Sequence, residues 1–161
     1  RHNRARIYRV NQRALYAAIG EADSKLRRPL TLNHAIQRLM VLDAIVEENL
    51  CERANAIGKI ILDRCNEIRR RSNLNCVGDV RGLGAMCAIE LVKDVASGEP
   101  APQLTQTLMK VANDNGLILL SCGIYGNVIR FLVPLTASDQ IVRDGMNIFE
   151  TSLTEAVTRV A

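Results

Sequence analysis

The chain has 161 residues, of which 48% are hydrophobic and 24% charged, and its formal net charge at pH 7 is +4. These values are ordinary for a globular domain with a real core, and they exclude a fibrous or low-complexity protein. No apolar stretch reaches the roughly 18 residues of a membrane span, and the arginine-rich start lacks the apolar stretch of a signal peptide. We therefore expect a soluble, cytoplasmic protein without a membrane partner.

The five cysteines and two histidines do not have the spacing of a metal site. No Cys-x-x-Cys pair occurs, and both histidines, His2 and His34, lie in the N-terminal stretch. The sequence therefore predicts no metal. An odd number of cysteines argues against a disulfide framework, so we expect reduced thiols that behave as small hydrophobic groups.

Charge is distributed unevenly between two parts of the chain. Residues 1–38 contain eight arginines and one lysine against two acids, which gives +7, whereas residues 39–161 contain 12 basic and 15 acidic groups, which gives −3. We predict an unassigned basic segment at 1–38, either a short helix or a flexible arm, and a globular domain at 39–161. A nucleic-acid-binding arm is one interpretation, but a solvated tail is the commoner one, and nothing adjacent resembles a recognition module.

Four helical segments follow from apolar residues that recur every three or four positions. Two pieces span Leu39 to Arg70 and meet near Asn49. A third ends at the stop signal Asn115-Gly116, and a fourth begins after a cap at Thr136 or Ser138. The apolar positions of the last three helices are Leu50, Ala54, Ile57, Ile61, Cys65, Ile68, Leu104, Leu108, Val111, Val142, Met146, Phe149, Leu153 and Val157.

Four short strands are predicted at residues 76–80, 85–92, 117–120 and 128–133, the first two joined by a hairpin-like connection at 81–84. Three glycines between Gly78 and Gly84 suggest a phosphate-binding loop, but such a loop opens a helix and here a strand follows. Arg81 in this turn is better explained by a surface salt bridge than by a catalytic role. The elements together predict an α+β, two-layer domain with a mainly antiparallel sheet covered on one face by helices.

Arg130 is the one charged residue of the apolar strand Val128–Val133. Arginine is rarely buried without a partner, and its planar fork matches a carboxylate, so a carboxylate-binding site is one hypothesis. The alternative is an edge-strand arginine that faces solvent or pairs with a surface acid.

Five stretches of residues 41–157 resemble the C-terminal small domain of class III pyridoxal-phosphate-dependent aminotransferases, most closely the 4-aminobutyrate aminotransferases. They occur in the order of that family and with its approximate spacing. The stretches are Val41-Leu-Asp-Ala-Ile-Val-Glu-Glu-Asn-Leu-Cys-Glu-Arg-Ala, Gly78-Asp-Val-Arg-Gly-Leu-Gly-Ala-Met, Ala88-Ile-Glu-Leu-Val-Lys-Asp, Gly116-Leu-Ile-Leu-Leu-Ser-Cys-Gly and Asn127-Val-Ile-Arg-Phe-Leu-Val-Pro-Leu-Thr.

The resemblance implies the small lobe of the type I fold and places Arg130 where the family binds the carboxylate of its amino-acid or oxo-acid substrate. The family carries its Schiff-base lysine and the other pyridoxal phosphate ligands in a large domain, upstream of the resemblance. None of the four lysines, Lys25, Lys59, Lys93 and Lys110, lies in the family's lysine motif. We therefore expect no catalytic and no cofactor-binding residue in this chain.

Three functional hypotheses remain open from the sequence. The chain is a C-terminal fragment of an aminotransferase that moves an amino group from 4-aminobutyrate or a similar ω-amino acid to 2-oxoglutarate, and it is inactive alone. Alternatively, it is one half of a split enzyme whose large domain is a separate partner. The third hypothesis is a non-catalytic protein, either a self-associating homo-oligomer, because a lobe without its partner exposes apolar surface, or a basic-armed binding module.

Overall fold

The computed structural model describes residues 32–160, with side chains from residue 39 onward. The chain divides into two compact units, residues 1–48 and residues 49–161. The described part of the first unit is one helix, α1, at Leu32–Glu47. Residue 38, where the sequence predicts a domain boundary, lies within α1, and most of the predicted basic segment lies outside the described residues.

Helix α2 opens the second unit and spans Leu50–Arg69. Asn49, the residue before it, has φ 51° and ψ 42°, in the left-handed region that asparagine tolerates better than most residues. The prediction of two helical pieces that meet near Asn49 is confirmed.

Six further elements follow α2 along the chain. Pro102 opens α3, where its missing N–H costs nothing, and the hydroxyl of Ser138 accepts the N–H of Ile141 as a cap of α4. The elements are β1 Val77–Leu83, β2 Met86–Leu91, α3 Pro102–Asp114, β3 Leu120–Cys122, β4 Val128–Leu132 and α4 Asp139–Val160.

The four strands form one sheet in the order β1-β2-β4-β3, and all three strand pairings are antiparallel. Helix α4 contacts both α2 and α3, and α2 and α3 also contact the strands. The predicted α+β fold with two layers is confirmed.

Two predicted element boundaries were wrong. Strand β1 continues through Arg81 to Leu83, so the hairpin connection is only Gly84 and Ala85, with Gly84 at φ 54°. Strand β3 begins at Leu120 rather than at residue 117, because the N–H of Leu117 still donates to the carbonyl of Ala112 at 2.7 Å and closes the end of α3.

The core lies between the sheet and the helices. Its aromatic centre is an edge-to-face contact between Phe131 of β4 and Phe149 of α4, with ring centroids 5.2 Å apart and planes at 77°. Most of the predicted apolar positions are fully buried, and these are Ile57, Ile61, Cys65, Ile68, Leu108, Val111, Val142, Met146, Phe149 and Leu153. All five cysteines are unpaired.

Candidate functional site

Arg130 lies on the face of the sheet opposite the core. Side chains alternate along a strand, and in β4 Ile129 and Phe131 are buried while Arg130 and Leu132 are exposed. Arg130 therefore lies on the exposed face of β4, and the other face of β4 packs into the core. Its backbone position is fixed, although its guanidinium is free to meet a ligand.

The cross-strand neighbours of Arg130 are small or apolar. It pairs with Ala88 of β2 on one side and with Leu120 of β3 on the other. The guanidinium of Arg130 makes no ion pair and no side-chain hydrogen bond with residues 39–160. An exposed cation with no acid beside it is suited to binding an anion from solution.

Arg81 lies in the same cross-strand row, since it also pairs with Ala88, but its charge is already satisfied. It donates to Asp79 at 2.6 Å and to Glu90 at 3.1 Å. The hydrogen bond to Asp79, followed by that to Glu90, raises the pKa of Arg81 above its usual value. The surface salt bridge predicted for Arg81 is confirmed, and of these two neighbouring arginines only Arg130 is available.

Asn127 fixes the start of the strand that carries Arg130, a role that the sequence analysis missed. Its buried side-chain amide donates to the carbonyl of Leu91 at 2.9 Å, and the N–H of Leu91 donates to the carbonyl of Asn127 at 2.8 Å. The sequence signal was a polar residue between Gly126 and an apolar strand. A buried amide of this kind has to find partners, and here they align β4 with β2.

Four large apolar side chains are exposed next to the cross-strand row of Arg81, Ala88, Arg130 and Leu120. Leu83 pairs with Met86, and Met86 pairs with Leu132. Ile118 lies outside β3, two residues before Leu120, and lines a cavity together with Leu132. We name these four residues the apolar row, and their exposed fractions are 81% for Leu83, 56% for Met86, 53% for Leu132 and 81% for Ile118.

A cavity of about 260 Å³ adjoins one end of the apolar row. Ile118 and Leu132 line it together with Arg130, and so do Phe131, Val142 and Met146 of the core, so the cavity extends from the face of Arg130 to the core side of the sheet. The candidate site therefore combines one unpaired guanidinium with an apolar wall, which suits a carboxylate attached to a short carbon chain.

Two of the three described lysines are paired with carboxylates. Lys59 is paired with Asp63 at 2.6 Å and Lys93 with Glu99 at 2.5 Å, while Lys110 is exposed on α3. Lys25 lies outside the described residues. Within residues 39–160 there is also no group of three His, Cys, Asp or Glu side chains that could hold a metal ion.

A second groove, between α2 and α4, has a volume of about 510 Å³ but balanced charges. Its lining includes three basic and three acidic residues. The basic residues are Lys59, Arg64 and Arg143, and the acidic residues are Asp63, Glu67 and Asp139. Because these opposite charges offset one another, the groove favours neither an anion nor a cation. In the part of the chain with described structure, no helix is long and apolar enough to cross a membrane.

Residues 32–153 match the aminotransferase class-III family over three-quarters of the chain. The chain belongs to the class III aminotransferases. This confirms the resemblance drawn from residues 41–157. The "probable 4-aminobutyrate aminotransferase" of Bacillus subtilis (strain 168) is 48% identical over 115 residues, which are 71% of this chain and 26% of that protein.

Other class III relatives carry different names. A 5-aminovalerate aminotransferase of Pseudomonas putida is 41% identical over 73% of this chain and 27% of its own length. Among solved structures, the omega transaminase from Pseudomonas jessenii in complex with PMP matches with a TM-score of 0.66 and 27% identity, covering 74% of this chain and 26% of that one. The chain thus spans about a quarter of the length of the relatives that it matches.

Proposed function

We propose that this chain is the carboxylate-binding lobe of an aminotransferase that moves an amino group from 4-aminobutyrate or a similar ω-amino acid to 2-oxoglutarate. In this proposal Arg130 holds a carboxylate of the amino-acid or oxo-acid substrate. The observation that carries it is the unpaired guanidinium of Arg130 on a rigid strand, next to an arginine, Arg81, whose own charge is neutralised.

The chemistry of the site agrees with this role. The guanidinium of an arginine can donate to both oxygens of one carboxylate, and the fixed backbone of β4 lowers the entropy cost of holding that geometry. Ala88 leaves room beside the guanidinium, whereas an acid at that position would compete with the substrate. The apolar wall at Leu132 and Ile118 excludes water from one side of the bound chain.

Pyridoxal phosphate supplies the electron sink and the aldehyde in transamination, and the described residues do not fit it. A site for it needs an unpaired lysine near the substrate, but Lys59 and Lys93 are paired with carboxylates and Lys110 lies on a helix surface away from the sheet face. We therefore propose that the cofactor is held by a different part of the enzyme and that the present chain alone is inactive.

An NMR titration of the isolated chain tests the role of Arg130 directly. We expect the Nε–Hε resonance of Arg130 to shift saturably with 2-oxoglutarate, with a dissociation constant in the range of about 1–100 mM because a single exposed ion pair is weak. Arg143, an exposed arginine on α4, is the matched control. Equal shifts at Arg130 and Arg143, or none at Arg130, would contradict the proposal.

An activity assay tests the proposal that the present chain alone is inactive. The chain is mixed with pyridoxal phosphate, 4-aminobutyrate and 2-oxoglutarate, and glutamate production is followed. We expect no turnover above the rate with free cofactor. Turnover that is abolished by Arg130→Leu would instead show that a cofactor site exists within this chain.

A further inference from the structure

We propose that Asn115 is a site of spontaneous covalent modification, where its side-chain amide becomes a carboxylic acid through a cyclic imide with Gly116, and that Ser152 restrains the reaction. Asn115-Gly116 is the only Asn-Gly pair in the sequence. The site lies in the connection between α3 and β3. This inference goes beyond the proposed function and does not depend on Arg130.

The reaction needs only the chain itself and water. The backbone nitrogen of Gly116 gives up its proton and attacks Cγ of Asn115, so that a new N–Cγ bond closes a five-membered ring. The Cγ–Nδ2 bond breaks, and Nδ2 leaves with that proton as ammonia. Water then adds to one of the two imide carbonyls and breaks its bond to nitrogen. Opening at Cγ gives aspartate, and opening at the main-chain carbonyl gives isoaspartate, whose backbone is one carbon longer.

The conformation of the pair leaves room for this ring. Asn115 is the C-terminal cap of α3, with φ −86° and ψ 5°, and Gly116 has φ 86°. Both residues are exposed, so water reaches them. No atom lies within 4 Å of the place where a Cβ atom of Gly116 would be. The space beside the attacking nitrogen is therefore open, and glycine lacks the side chain that would hinder ring closure.

A second pair in the chain, Asp144-Gly145, could form the same imide but is held by its helix. It lies in the middle of α4, where the N–H of each residue donates to the carbonyl four residues before it. The N–H of Gly116 has only a turn bond, to the carbonyl of Asn113 at 3.0 Å, at a helix end where fraying is easiest. Asn115-Gly116 is therefore the pair whose backbone can rotate.

Ser152 of α4 holds the amide that reacts. Nδ2 of Asn115 donates to the hydroxyl oxygen of Ser152 at 3.1 Å, and Ser152 is fully buried. This bond has to break before Nδ2 can leave. The N–H of Leu117 also donates to the carbonyl of Ala112 at 2.7 Å and closes the end of α3. The additional backbone carbon of isoaspartate would lie between these two partners, so it should weaken that closure.

The test incubates the full chain at mildly alkaline pH and follows conversion by peptide mapping and mass spectrometry, with fragmentation that distinguishes isoaspartate from aspartate. Asn115 should convert faster than Asn147, which is exposed on α4. We expect Ser152→Ala to raise the rate at Asn115 about fivefold, the effect of one lost hydrogen bond. Thr151→Ala, at the neighbouring exposed position of α4, is the matched control and should change that rate less than about twofold.

Conversion at Asn115 that is no faster than at Asn147 would overturn the proposal. So would an unchanged rate in Ser152→Ala, or an equal acceleration by Thr151→Ala. Asn115→Gln, whose side chain is one carbon too long for a five-membered ring, should abolish the mass change of this peptide, and a change that persists would place the reaction elsewhere. In isoaspartate-containing chains, the N–H of Leu117 should exchange with deuterium about tenfold faster than in unconverted chains. Equal exchange would contradict the weakened closure of α3.

Discussion

Gly58 of α2 packs directly against the carbonyl oxygen of Gly84, so closely that a Cβ atom at position 58 would lie 2.0 Å from that oxygen. This contact holds the β1–β2 connection directly against α2. Gly84 itself has φ 54°, which a side chain would strain. The position of the hairpin relative to the helices thus depends on the absence of one methyl group.

Gly58→Ala should destabilise the domain by about 3 kcal/mol, the upper end for overpacking, because the clash is with backbone rather than with a flexible side chain. Urea denaturation measures the change. Gly145→Ala is the control, since position 145 is also helical and its nearest contact would be an ordinary 3.8 Å. That variant should gain up to about 1 kcal/mol from helix propensity, and a loss equal to that of Gly58→Ala would refute the packing argument.

Glu150 joins two arginines of the helix layer. Its carboxylate, 12% exposed, lies 2.7 Å from Arg64 and also pairs with Arg71. Glu150→Gln should cost about 1–2 kcal/mol, less than for a fully buried network because both arginines are partly solvated.

The comparison for this network is Glu155→Gln, which breaks an exposed pair with Arg159 on the same helix. We expect a change within about 0.5 kcal/mol there. Chemical denaturation of both variants gives the two values, and equal values would show that the Glu150 network contributes no more than a surface pair.

Arg53 holds the segment that leads into α4. Its guanidinium donates to the carbonyls of Leu135 and Ala137 and pairs with Asp139 at 2.5 Å. Arg53→Lys keeps the positive charge but loses the planar guanidinium that donates to both carbonyls. The segment from Leu135 to Asp139 should therefore open more often. We expect the N–H of Ala137 to exchange with deuterium about tenfold faster, which corresponds to one or two lost hydrogen bonds.

Arg143→Lys on the surface of α4 is the control for this measurement and should leave the exchange of Ala137 unchanged. Unchanged exchange in Arg53→Lys as well would mean that the backbone bond from Ala137 to Pro134, 3.0 Å long, holds the segment without the arginine.

Stability should fall at high pH because of Cys65. Burial, with a smaller contribution from Cys87, raises the pKa of the Cys65 thiol from 9.0 to about 12. Between those values the unfolded chain loses a proton that the folded chain keeps, so rising pH favours unfolding. From pH 8 to pH 10 we expect a loss of about 1 kcal/mol from this thiol.

Urea titrations at both pH values, on the unaltered chain and on Cys65→Ala, isolate that contribution. The variant should be less stable at pH 8 because of the cavity, yet it should lose about 1 kcal/mol less between the two pH values. An identical pH dependence would show that the Cys65 thiol is not desolvated as the structure indicates.

Much of the fold could be predicted from the sequence because its signals are local. The periodic apolar positions of α2 and α4, the stop at Asn115-Gly116 and the cap at Ser138 each depend on a few neighbouring residues. The errors arose where a distant contact decides the outcome. Leu117 does not begin β3, since it closes the end of α3 through Ala112.

The candidate site could be predicted only in part for the same reason. Arg130 was identified as an unusual charge in an apolar strand, but its availability depends on Ala88 and Leu120, which are far away in sequence. The apolar row was also missed. Leu83, Met86 and Leu132 lie on three different strands, and the register of the sheet brings them together.

The alternation along β4 also has an evolutionary consequence. Ile129 and Phe131 are tied to the core, whereas Arg130 and Leu132 contribute almost nothing to it. Substitutions at positions 130 and 132 can therefore accumulate without a folding penalty. Under the role proposed for Arg130, a lineage could exchange one acid ligand for another by changing two surface residues of a strand that remains otherwise the same.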